Sequence, residues 1–307
     1  SPSILLDSSM LNTLQCKATT MKSQSGEVRR ALAVSPAHPT MEGAGVRLKR
    51  AFGEVDPRLD PFLMLDDFSS RDPFDYEPGF PEHPHRGMET VTYVISGQID
   101  HRDSLGNSGS IQSGEVQWMT AGSGIIHAEM PRETWEHLCG VQLWVNLPRE
   151  SKMMAPRYRD IGEEDIPIVQ PSAGVRVKVI AGKFDDAVGP VKDLVVDVHY
   201  LDVIMEPNAE FRHNISGQLN AFAYVLQGVA DFGGSMAGRQ QLVVLGEGDE
   251  VAVRSGESGA RFILVAGRPI RETVAWRGPI VMNTEDELKD AFREIQEGTF
   301  VRAEPGR

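Results

Sequence analysis

The stretch Gly79–Pro131 decides how this chain folds; it opens as GFPEHPHRGMETVTYVISG (residues 79–97) and closes as QWMTAGSGIIHAEMP (residues 117–131). His83 and His85 are one residue apart, and Val91, Tyr93 and Ile95 carry on a two-residue alternation. Side chains spaced by two share a face of a strand, so both imidazoles point into one interior. His127 and Glu129 repeat that spacing behind an apolar lead-in, Ile125 and Ile126. Two such strand pairs facing each other across a barrel offer three nitrogens and one oxygen to a single cation. Imidazole with a carboxylate suits iron, nickel, cobalt, copper or zinc, whereas calcium and magnesium prefer oxygen alone. Four protein ligands on a six-coordinate ion leave two positions open, which implies chemistry rather than a closed structural site. Any one of these histidines, taken alone, reads as an ordinary core or loop residue; two such pairs on strands do not. Glu89 shares the parity of His83 and His85, so it either ligates in place of Glu129 or supports the ligands from behind.

Outward from this stretch, short apolar runs at Glu89–Ser96, Gln98–Asp103, Gly109–Gln112, Val116–Met119, Ile125–Met130 and Val141–Leu147 alternate with Gly-rich turns. That is the punctuation of an antiparallel barrel or jelly roll. Asp60–Phe68 (DPFLMLDDF) reads as core packing beside the barrel mouth rather than as ligation by Asp66 or Asp67, and His101 and His137 read as surface residues. LNAFAYVLQG (residues 219–228) echoes METVTYVISG (residues 88–97) at an offset of 131 residues, which predicts a duplicated barrel. Under that offset Asn214, Ser216 and Asn220 stand where His83, His85 and Glu89 stand in the first copy, so the second copy is expected to hold no metal. His199 and His213 read as packing or surface residues. Thr284 and Glu287 form a capping-box pattern, and Leu288, Ala291, Phe292 and Ile295 recur at helical spacing before Gly298.

The expected class is therefore all-β: two jelly-roll barrels in tandem with a short C-terminal helix. Residues 1–26 are expected to be a flexible extension, 27–150 the metal-binding barrel, 151–174 a linker and 175–307 the metal-free barrel with the helix. The 307 residues suffice for two domains with their own cores. A net charge of -13 and the absence of any Lys/Arg cluster argue against direct nucleic-acid binding. No run reaches the ~18 to 20 apolar residues of a membrane span. Two distant cysteines, Cys16 and Cys139, make no disulfide framework, which favours a reducing, cytoplasmic setting, or a nuclear one in a eukaryote.

The strings DPFLMLDDF, GFPEHPHRGMETVTY, QWMTAGSGIIHAEMP, QLWVNLP and VMNTEDEL together resemble the pirin family of the cupin superfamily, over about Val28 to Phe300. The resemblance implies His83, His85, His127 and Glu129 as the metal ligands, with Glu89 outside the ligand set. It also implies Fe2+ as the cofactor, with Ni, Co, Mn, Cu or Zn as alternatives.

An open N3O site in an apolar barrel can take an enediol or catechol through its oxygens, with dioxygen beside it. Glu129 then doubles as catalytic proton acceptor. Met88, Trp118, Ile126 and Met130 are the expected walls for a flat aromatic molecule. Pirins are similar to quercetinases, so the resemblance implies a quercetin 2,3-dioxygenase type of activity; a monomer is expected. The family's other known role is that of a non-enzymatic, iron-binding redox sensor for a transcription factor or metabolic enzyme. A plain sugar-binding or structural cupin is a third reading.

Overall fold

The structure, a computed structural model, describes residues 26–132 and 137–302. Almost all of the expected extension, and Cys16 with it, lies outside the described residues. The described residues are all-β apart from single helical turns and the helix Glu285–Glu297.

The first barrel is two facing sheets. A seven-stranded sheet has Met88–Ser96 near its centre, between Val116–Thr120 and Cys139–Asn146. A four-stranded sheet runs Phe80–His85, Ile125–Pro131, Gln98–Asp103, Ser108–Gln112. The two-residue alternation sorts each central side chain: Met88 and Thr92 face inward, while Val91 and Tyr93 face the second barrel. The second barrel is one nine-stranded sheet whose long strands, Asn220–Phe232 and Glu250–Gly267, bend sharply enough to close on themselves. They pair antiparallel with a bulge after Gly228, where an added Cβ would sit 2.1 Å from the Gly259 carbonyl oxygen, so only glycine permits that approach. Phe184, Phe211, Phe232 and Phe262 fill its interior.

Between the barrels lies a shared core, with Phe52, Phe62, Trp118 and Leu143 from one side and Tyr200, Phe222 and Ile263 from the other. The internal duplication has a physical signature here. Tyr93 donates its hydroxyl to Asp202 of the second barrel at 2.8 Å, and Tyr224, its counterpart at the 131-residue offset, donates to Asp67 of the first at 3.0 Å. Arg261 completes the Asp202 site with two hydrogen bonds of 3.0 and 2.7 Å, so the buried carboxylate is fully partnered.

The expected domain boundaries need correction, because strand pattern reveals a strand and not its partner. Ala31–Pro36 pairs with Gln241–Leu245 and so belongs to the second barrel. The linker is not free of structure: Arg157–Ile161 adds to the first barrel's sheet and Ile168–Val169 to the second's. At the other end, the hairpin Ala275–Arg277 with Ile280–Met282 and the helix after it pack on the first barrel against Ile126, and Phe300 folds back into the same cluster. That helix has the predicted capping box, with Thr284 Oγ1 accepting from the Glu287 N–H at 3.2 Å and the Glu287 carboxylate accepting from the Thr284 N–H at 2.9 Å.

Arg86 and Lys152 fasten this terminal segment. Arg86 donates to the Ser123 carbonyl at 2.7 Å, the Phe300 carbonyl at 2.9 Å and the Glu294 carboxylate at 2.6 Å, and its guanidinium lies over the Phe300 ring. Lys152 Nζ donates to the Gly87 carbonyl at 2.8 Å, the Val281 carbonyl at 3.1 Å and Asn146 Oδ1 at 2.6 Å. Burial pulls its pKa down to about 7, while three acceptors match the three donors of the ammonium form.

Candidate metal centre

Three histidines converge from two adjacent antiparallel strands. Register sets His83 opposite His127 and His85 opposite Ile125. The ring centroids of His83 and His127 are 4.5 Å apart, those of His83 and His85 4.8 Å, and those of His85 and His127 5.0 Å. One nitrogen from each ring lies within 4.8 Å of the others. His83 Nδ1 is 2.8 Å from the Pro81 carbonyl, a contact that assigns it the proton and leaves Nε2 as the bare donor. Both ring nitrogens of His127 are buried without a hydrogen-bond partner. Removal from water holds His85 well below the usual histidine range, with the neighbouring imidazoles adding to the effect, and brings His127 to about 4. Both rings are therefore neutral at pH 7, with lone pairs available.

Glu129 lies beside them, its Oε2 3.9 Å from His127 Nε2. Thr92 Oγ1 donates to Glu129 Oε1 at 3.2 Å, and Gln142 Nε2 lies 3.1 Å from both carboxylate oxygens. Gln142 is itself oriented by the Trp144 indole N–H, which donates to its Oε1 at 3.1 Å. Thr92, Gln142 and Trp144 were not singled out from the sequence. The signal was present: Gln142 and Trp144 alternate in QLWVNLP, and Thr92 is of the parity opposite to Val91 and Tyr93. Buried neutral imidazoles with partnerless nitrogens, next to an anchored carboxylate, fit a transition-metal ion.

Glu89 is placed elsewhere. Gly87, at φ +78, separates Phe80–His85 from Met88–Ser96 and puts them in different sheets, so parity does not carry across it. The Glu89 carboxylate accepts from Thr120 Oγ1 at 2.5 Å and lies 3.8 Å from Arg159, on the strand face opposite Thr92. His101 is not at the surface: it is buried, stands opposite Glu129 in the register and stacks on Tyr158 at 5.8 Å. His137 is exposed. In the second barrel His213 packs against Phe184 at 4.8 Å and Phe211.

His83, His85 and Glu129 line a cavity of about 740 Å³, with His127 buried behind them. Its walls are not the expected ones. Met88 and Trp118 are buried in packing clusters, Ile126 packs beneath the C-terminal helix and Met130 is partly exposed. Met64, Phe68, Phe80, Ile99, Trp144 and Trp276 supply the apolar lining instead. Asp66 also lines it, paired with Arg50 at 2.7 Å.

Two family models match the chain: Pirin over residues 45–145 and the Pirin C-terminal cupin domain over residues 200–301. A pirin-like protein of Caulobacter vibrioides is 42% identical over 89% of this chain and 99% of its own length. Pirin-1 of Arabidopsis thaliana is 41% identical over 83% of this chain and 88% of its own. Among solved structures, a quercetin 2,3-dioxygenase of Acinetobacter baumannii superposes with a TM-score of 0.82 at 30% identity, covering 89% of this chain and 99% of that one. With two cupin-type barrels, both family models in order and relatives matched over nearly their full length, this chain belongs to the pirin family.

Proposed function

We propose that this pirin is a metal-dependent dioxygenase of the quercetin 2,3-dioxygenase type, with His83, His85, His127 and Glu129 as the ligands of one ion. The observation that carries the reading is Glu129, hung from Thr92 and Gln142 beside three closely spaced imidazoles at the end of an apolar cavity. Fe2+ is the metal expected, and the same donor set accepts Ni, Co, Mn, Cu or Zn. When bound, the ion supplies Lewis acidity toward the substrate oxygens and redox access to dioxygen.

The chain supplies the rest. Burial keeps the His85 and His127 imidazoles neutral, so they bind a cation instead of repelling it. Glu129 takes the proton of the flavonol hydroxyl, and the Thr92 and Gln142 donors hold the carboxylate in place while it does so. Met64, Phe68 and Trp144 exclude water and seat the flat ring system. The structure of the Acinetobacter baumannii quercetin 2,3-dioxygenase supports the same substrate class.

Aerobic incubation of the iron-loaded protein with quercetin is the test. The expected result is ring opening, with one dioxygen consumed and one carbon monoxide released per flavonol. Spectral binding of quercetin without consumption would contradict the enzyme and favour a redox-sensing role.

A further inference from the structure

One wall of the metal cavity comes from the far end of the chain. Trp276, Gly278 and Pro279 line it, carried on the hairpin of Ala275–Arg277 and Ile280–Met282. The Trp276 ring centroid is 6.0 Å from that of Trp144, at 45°, and Trp144 in turn meets His85 edge-on at 5.1 Å. Aromatic surface thus runs without a break from a histidine of the cluster to the terminal hairpin.

The Trp276 ring is not free to swing. Its indole N–H donates to the Gly278 carbonyl at 2.7 Å. The hairpin beneath it is docked on the histidine strand by the Val281 N–H, which donates to the Arg86 carbonyl at 3.0 Å. Lys152 bridges the Gly87 and Val281 carbonyls. A half-buried tryptophan that rests on the Met64 and Trp144 cluster, turns its remaining surface to a cavity and is pinned at its nitrogen is built to meet a ligand.

The charge of the lining narrows that ligand further. Glu42, Asp66, Glu82 and Glu129 line the cavity, and apart from the histidines Arg50 is the one basic side chain among the described lining residues. Its guanidinium is already matched twice, by Asp66 at 2.8 and 2.7 Å and by Glu42 at 2.9 Å. Glu82 is exposed and pairs with Arg102 at 3.4 Å, outside the lining. A dication at the histidines would offset Glu129 and the ionised hydroxyl of a substrate. A carboxylate elsewhere on that substrate would meet acids and one guanidinium already paired twice.

We propose that Trp276 is the specificity-determining residue of this cavity: with Trp144 it grips a flat ring, and with the acidic lining it admits uncharged aromatic ortho-diols while rejecting those that carry a carboxylate. The inference rests on the reading of the cavity as a site for metal-chelating aromatics, and not on their turnover.

The test is calorimetric binding of catechol and of 3,4-dihydroxybenzoate to the zinc-loaded protein, with quercetin turnover by the iron-loaded form in parallel. The wild type is expected to bind catechol at least about tenfold more tightly than the carboxylated probe. Trp276→Ala should weaken catechol by roughly tenfold and raise KM for quercetin, with kcat within about twofold and metal content unchanged. Trp276→Phe should restore most of the loss, since it keeps a ring. Glu42→Gln with Glu82→Gln, both near the cavity mouth, should narrow the gap between the two probes. Equal binding of the two probes by the wild type would overturn the proposal, as would catechol affinity indifferent to Trp276→Ala or a loss of metal in both Trp276 variants. A wild type that discriminates between the probes as expected yet leaves quercetin unconsumed refutes the dioxygenase reading and supports this one.

Discussion

His127→Ala is expected to abolish quercetin consumption, with a loss of at least about a thousandfold, the scale on which removal of one member of a cooperating catalytic set acts. His127 stands opposite His83 in the strand register and next to Glu129. Truncating it removes one of three nitrogens and leaves the carboxylate without its imidazole neighbour. Fold stability should change little in the metal-free protein, because the deleted ring makes no hydrogen bond. The check is activity beside circular dichroism and metal content. Retained activity in a metal-free variant would remove His127 from the chemistry altogether.

Gly87→Ala should be the most damaging glycine-to-alanine change among the described residues. An added Cβ there would lie 1.9 Å from the Val281 carbonyl oxygen, and the residue sits at φ +78, a region that side chains disfavour. Backbone cannot yield as a flexible side chain can, so the terminal hairpin must lift from the histidine strand. Lys152, which holds Gly87 and Val281 together, then loses its geometry. A loss of about 3 kcal/mol or more is expected, read by denaturant unfolding, together with faster proteolysis near residues 275–282. Stability within about 0.5 kcal/mol of wild type would show that the hairpin is not seated as described.

Much of this architecture could be read from residue order. The H-x-H and H-x-E pairs each lie on a strand, though on neighbouring strands of one sheet and not across the barrel, the echoing segments Met88–Gly97 and Leu219–Gly228 fall on strands of the two barrels, and the Thr284 capping box starts a helix. What could not be read was pairing between distant segments. Ala31–Pro36 is an amphipathic strand wherever it docks, and nothing local names Gln241–Leu245 as its partner. The same limit hid Trp276, which reaches the cavity only because its hairpin crosses back to the first barrel. Parity left the role of Glu89 open, because parity holds along a strand and is reset by the turn at Gly87. His101 misled through its polar neighbours in IDHRDS, since a barrel interior that carries a metal centre is itself polar and accepts such residues.

The most direct measurement is anomalous diffraction across the absorption edge of the metal that elemental analysis finds in protein purified without added metal. One peak is expected between the His83, His85 and His127 rings and the Glu129 carboxylate, and none among Phe184, Phe211 and His213. A peak in the second barrel, or no peak at the histidines of a fully active protein, would contradict the account.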